Sequence, residues 1–123
     1  MKARVLIADD ASFMRQMIRE IIEPEGYEVV GEATNGIEAV EQYASLHPDI
    51  VTMDIVMPKR SGIDAVKGIL AEHPTACVVM CSALGQETLV MEALQAGARD
   101  FIVKPFKPDN VIATLKKILE KES

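Results

Sequence analysis

Five short apolar runs punctuate the chain, and between them apolar residues recur every three or four positions. Brief runs rich in β-branched residues predict buried strands, and the wider spacing predicts amphipathic helices. The strands fall at 4–8, 28–33, 49–54, 76–82 and 100–103. The first helix places Phe13, Met14, Met17, Ile18, Ile21 and Ile22 on one face and Arg15, Arg19, Glu20 and Glu23 on the other. Pro24 and Gly26 end it, because proline cannot continue a helix and glycine tolerates the turn that closes one. Further helices are predicted over 37–46, 63–72, 85–96 and 108–120, with Gly97 stopping the fourth. The fourth is too apolar for a helix with one buried stripe. Leu89, Val90, Met91, Ala93 and Leu94 spread well beyond about 100° of its surface.

Alternating strands and helices predict an α/β fold. Strands that are apolar throughout are buried on both faces, as in a parallel sheet covered by helices. Right-handed crossovers leave few topologies, of which 2-1-3-4-5 is the common five-stranded one. The expected architecture is therefore a flavodoxin-like (βα)5 unit over residues 1–123, with no separate output domain.

Composition narrows the function. A formal net charge of -6 disfavours nucleic acid and anionic membrane surfaces as partners. The N-terminal segment is too short for a signal sequence and no stretch approaches a membrane span, so a cytoplasmic protein is expected. Cys77 and Cys81 lie four apart, neither a zinc nor a redox spacing, and are expected to be buried thiols. His47 and His73 each precede a proline after a helix and read as helix exits. The methionines read as core filler.

The chemistry gathers at strand ends. Asp9-Asp10 closes the first strand, Asp54 the third, Ser82 the fourth, and Lys104 follows the fifth. In the expected topology these residues meet at the carboxyl edge of the sheet, where ligands bind in such folds. Two carboxylates ~4 Å apart repel by about 4 kcal/mol at an effective dielectric near 20, so a proton or a cation must relieve them. Oxygen ligands alone favour a hard ion such as Mg²⁺. A carboxylate beside such an ion can act as a nucleophile toward phosphorus, with a lysine and a hydroxyl to hold the phosphoryl oxygens.

Taken together, Asp9-Asp10, Met53-Asp54-x-x-Met57-Pro58 with Gly62, Ser82-Ala83 and Lys104-Pro105-Phe106 resemble the receiver domain of two-component response regulators over nearly the whole chain. That family shares the 2-1-3-4-5 order, so the topology is implied by the resemblance as well. The resemblance implies that Asp54 is the phosphoacceptor, supplied by a phosphohistidine on a sensor kinase. It implies that Asp10 ligates Mg²⁺ directly, Asp9 mainly through water, and Val56 through its backbone carbonyl. It makes Ser82 the switch hydroxyl, Lys104 the lysine that pairs with the phosphoryl group, and Phe101 the aromatic switch. It also implies a cis Lys104-Pro105 bond.

Asp-Asp-Ala-Ser-Phe-Met-Arg and Cys-Ser-Ala-Leu-Gly-Gln are most similar to single-domain chemotaxis receivers. For that type the resemblance implies a non-enzymatic phosphoacceptor that docks on the flagellar motor switch through Val90, Leu94, Phe101, Val103 and Lys117, and that a phosphatase can reset. A phosphorelay intermediate is the alternative. An aspartyl-phosphate phosphatase would want a second Asp at position 56, which is Val56, and a flavin module would be repelled by Asp9-Asp10.

Overall fold

The structure is a computed structural model that describes residues 2–122, with side chains described for 2–120. Its elements in chain order are β1 (Arg4–Ala8), α1 (Ser12–Ile22), β2 (Glu28–Ala33), α2 (Gly36–Leu46), β3 (Ile50–Asp54), α3 (Gly62–Glu72), β4 (Val78–Ser82), α4 (Glu87–Ala96), β5 (Asp100–Val103) and α5 (Pro108–Glu122). A 3-10 turn over Glu23–Glu25 follows α1. The strands form one parallel sheet in the order β2-β1-β3-β4-β5.

Strand periodicity divides the core in two. Leu6, Val51, Met53, Val78 and Met80 face α2, α3 and α4, packing with Ala39, Val66, Ile69 and Ala93. Val5, Ile7, Ile50, Val79 and Ile102 face α1 and α5, packing with Ile18, Ile22, Val111, Leu115 and Ile118. Burial on both faces is why the strands carry apolar residues at successive positions. Cys77 and Cys81 are both buried on the α1/α5 side.

Local chemistry sets the helix ends. The Asn35 side chain accepts from the Glu38 N–H at 2.9 Å, while Glu38 Oε1 accepts from the Thr34 N–H at 2.7 Å, a reciprocal cap that starts α2. Ser61 caps α3 by accepting from the Asp64 N–H. Gly97, at φ 118°, closes α4 in a conformation that suits a residue without Cβ.

Three sequence expectations change. Helix α4 begins at Glu87 rather than 85, because Gly85 adopts φ 89° and Gln86 turns back to accept from the Ala83 N–H. Phe13 is 63% exposed: it lies in the first turn of α1, beyond the strand ends that bury Ile18 and Ile22. Arg15 and Arg19, expected on a solvated face, instead reach β2. There Arg15 Nε and Arg19 Nη2 donate to the two oxygens of Glu32 at 2.7 and 2.6 Å.

Candidate functional site

Strands β1 and β3 are neighbours, so Asp9, just past the end of β1, comes beside Asp54, the last residue of β3, with Asp10 following. One carboxylate oxygen from each of Asp9, Asp10 and Asp54 can be chosen so that all lie within 4.8 Å of one another. Asp9 and Asp54 are buried, whereas Asp10 is exposed. Strand β4 carries Ser82 in at the same edge, also buried.

Lys104 arrives from the far side of the sheet. Its backbone N–H donates to the Ser82 carbonyl at 2.7 Å, extending the β4–β5 pairing by one position. The side chain then crosses to place Nζ 3.0 Å from Asp9 Oδ2 and 3.2 Å from Asp54 Oδ1. The Lys104-Pro105 bond is cis, as the resemblance implied.

The three acids are engaged differently. Asp9 Oδ1 accepts from the Ala11 N–H at 2.9 Å and Oδ2 from Lys104, so both its oxygens are committed. Asp54 Oδ1 accepts from the Ile55 N–H at 3.0 Å and takes the lysine contact, while Oδ2 has no bonding partner among the described residues. Asp10 likewise has none among them. The cluster thus offers one free oxygen of the largely buried Asp54, open toward the site, and one whole carboxylate at the surface.

Burial pushes the Asp54 carboxyl above the ordinary carboxylate value, and the charge of Asp9 pushes it further. The Lys104 ammonium and the Ile55 N–H pull the other way without cancelling the shift. Burial pulls the Lys104 ammonium down, but its hydrogen bond to Asp9 and the charges of Asp54 and Asp9 outweigh that. Its pKa therefore stands above the usual lysine value. Lysine stays charged, and the carboxylates retain a demand for further positive charge. All the donors are hard oxygens, which fit Mg²⁺ and discriminate against ions that prefer nitrogen or sulfur.

A response regulator receiver domain pattern matches residues 5–116. The chain belongs to the response regulator receiver family. The receiver is 59% identical to the chemotaxis protein CheY of Thermotoga maritima, across 96% of this chain and 98% of that protein. It is 53% identical to CheY of Bacillus subtilis, across 97% and 99%. Among solved structures, it superposes with a TM-score of 0.90 on a chain of the CheX–CheY–BeF3–Mg²⁺ complex from Borrelia burgdorferi. That match has 39% identity and covers 94% of this chain and 88% of that one. It is thus a receiver similar to chemotaxis regulators.

Beside the acidic cluster, a groove of about 250 Å³ runs between α4 and β5, lined by Ser82, Leu84, Val90, Leu94, Phe101 and Val103. Phe101 and Val103 are exposed along it, as expected of the proposed docking residues. Val90 is not: at 7% exposure it belongs to the core and forms the groove floor. The exposed apolar residue of α4 is Met91, one position on. Lys117 is exposed too, but its Nζ is paired with Asp100 Oδ2 at 2.6 Å.

Two supporting contacts escaped the sequence reading. Arg15 Nη1 donates to the Asp9 backbone carbonyl at 2.7 Å, tying the acidic loop to Glu32. Gly62 packs its Cα so close that an added Cβ would stand 1.9 Å from the Asp54 carbonyl oxygen. The motif drew attention to Gly62, but only the fold supplies its physical reason.

Proposed function

We propose that this receiver accepts a phosphoryl group on Asp54 from a sensor kinase phosphohistidine, in the presence of Mg²⁺, and then docks on a flagellar motor switch protein. The observation that carries this reading is the asymmetry of Asp54, with Oδ1 held by Lys104 and Ile55 and Oδ2 free. Oδ2 is the nucleophile. It attacks phosphorus, the P–N bond breaks, and the departing imidazole takes up a proton. Asp10 and Asp54 would hold Mg²⁺ directly, with the Val56 backbone carbonyl, and Asp9 would reach it through water. The ion, when bound, supplies charge compensation for the phosphoryl oxygens.

The chain's own residues do the rest. Lys104 moves from Asp54 Oδ1 to a phosphoryl oxygen while keeping Asp9. Ser82 turns its hydroxyl to another phosphoryl oxygen. The space this leaves admits the Phe101 ring, and the shift selects one of two arrangements of the α4–β5 groove. A partner can exploit that difference by about 1–3 kcal/mol, typical for coupling of this kind. The receiver is on this reading not an enzyme acting on outside substrates. It assists its own phosphorylation and dephosphorylation, and an accessory phosphatase shortens the phosphorylated state. A cytoplasmic location, within reach of kinase and motor, follows from the same reading.

Labelling with acetyl phosphate tests the chemistry. Asp54→Asn should abolish labelling, and Asp10→Asn should weaken Mg²⁺ binding severely. Undiminished labelling of Asp54→Asn would sink the assignment. Docking is tested by Met91→Asp, which leaves the core alone: capture of a motor switch protein should fall while Asp54 is phosphorylated normally. Capture of a histidine phosphotransfer protein instead would favour a phosphorelay intermediate.

A further inference from the structure

The two histidines that end α2 and α3 take no part in the acidic site. They stand at the other edge of the sheet, where β3 and β4 begin. His47 closes α2 in the left-handed region at φ 46°, with its N–H bonded to the Tyr43 carbonyl at 2.9 Å. His73 closes α3, with its N–H bonded to the Ile69 carbonyl at 2.8 Å. Each backbone is fixed by its helix and the proline after it, so the two imidazoles are brought together by the fold.

Their ring centres are 5.5 Å apart, with the planes at 83°. The Tyr43 ring backs the pair, 4.9 Å from His73 and 6.4 Å from His47. Among the described residues neither imidazole makes a side-chain hydrogen bond or ion pair. A ligating imidazole nitrogen lies about 2.0–2.1 Å from a zinc-sized ion, which puts each ring centre roughly 3.2 Å from it. Two such rings at a tetrahedral angle have centres about 5.2 Å apart. The observed separation of the centres, 5.5 Å, lies close to that value.

We propose that His47 and His73 form a second metal site, for a borderline divalent ion such as Zn²⁺, Ni²⁺ or Cu²⁺, with water in the remaining positions. Imidazole suits these ions and the acidic cluster suits Mg²⁺, so the two edges of the sheet select different metals. The C-terminal ends of α2 and α3 both point their negative poles at this place, which favours a cation. Arg4 and Asp49 flank it with one charge of each sign: Arg4 Nη1 donates to the Leu46 and His47 carbonyls, and Asp49 Oδ2 accepts from the Arg4 N–H. A bound ion would tie the end of α2 to the end of α3.

The chain has no tryptophan and two tyrosines, Tyr27 and Tyr43, of which Tyr43 adjoins the histidines, so quenching of its share of the ultraviolet emission reports on the site. Ni²⁺ titrated into the full chain with excess Mg²⁺ should quench that emission saturably. His47→Asn keeps a residue that tolerates a left-handed φ. Loss of one of two ligands should weaken binding about tenfold or more in His47→Asn and in His73→Asn alike. Thermal melts establish that each variant is folded. If either is not, Ni²⁺ titrated into the unsubstituted chain should broaden the ring-proton NMR signals of both histidines before any others. Absence of saturable quenching up to about 1 mM Ni²⁺ would overturn the proposal. So would an unchanged midpoint in the folded variants, or broadening that spares the histidines.

Discussion

Thr52 is the central residue of β3, two positions before Asp54, and it is fully buried. Its Oγ1 has no hydrogen-bond partner among the described residues. The strand pairs with β1 and β4 on its two sides, so the backbone is satisfied and only the hydroxyl is stranded. An unpartnered hydroxyl in a protein interior costs about 1–3 kcal/mol. Thr52→Val keeps the branched shape and removes the polar atom, facing Val5, Ile7 and Val79 chemistry on that side of the sheet. The substitution is therefore expected to stabilise the fold by about 1–2 kcal/mol. With an m-value of about 2 kcal/mol/M, the urea midpoint should rise by roughly 0.5–1 M at unchanged slope. Acetyl phosphate labelling of Asp54 should persist, because the strand end is untouched. A midpoint that falls or stays put would refute the reasoning, since it would mean that the hydroxyl is satisfied in solution.

Val56 and Leu84 follow Asp54 and Ser82 by two positions and stand exposed, at 58% and 81%, where on the proposed reading they would shield a phosphoryl group on Asp54 from water. Val56→Asn with Leu84→Glu should therefore hasten loss of label after the donor is removed, and an unchanged decay would count against that shielding. Burial pushes the Cys81 thiol up to about 12, so at pH 8 it should resist alkylation in the folded chain and react once urea unfolds it. Hydrogen bonds from Arg19 and then Arg15 hold the Glu32 carboxyl below its ordinary 4.5. A depressed carboxylate contributes stability above its unfolded pKa and loses it as pH falls through the folded value. Glu32→Gln should accordingly cost up to about 1 kcal/mol at pH 7, with the difference from the unsubstituted chain vanishing in acid below that range. A cost that persists undiminished in acid would show that the pair acts through packing.

How much of this was legible in the sequence depends on what each residue's neighbours come from. The strands were legible because a strand buried on both faces has no polar positions to confuse its pattern, as Val5-Leu6-Ile7 and Ile50-Val51 illustrate. The acidic cluster was legible because its members are strand ends, and the topology alone brings those together. Helix faces were less so. Periodicity put Phe13 on the same stripe as Ile18, but it does not say where the sheet stops beneath the helix. The resemblance likewise placed Val90 on the docking face, although packing against the core on the side of α2, α3 and α4 claims Val90 and leaves Met91 outside. Arg15 looked solvated because its partners, Glu32 and the Asp9 carbonyl, lie on strands that no local pattern links to α1.

The reach of Lys104 across the sheet also orders events in time. Asp9 and Lys104 are 95 positions apart in the chain yet in direct contact. During synthesis all three carboxylates exist well before the lysine that offsets them has been made. Until β5 is laid along β4, Asp54 stands among like charges with neither its ammonium partner nor the Ser82 carbonyl fixed by the Lys104 N–H. An incomplete or half-folded chain thus lacks the lysine contacts that tie Asp54 to Asp9, and the acidic edge is completed only when the last strand is in place.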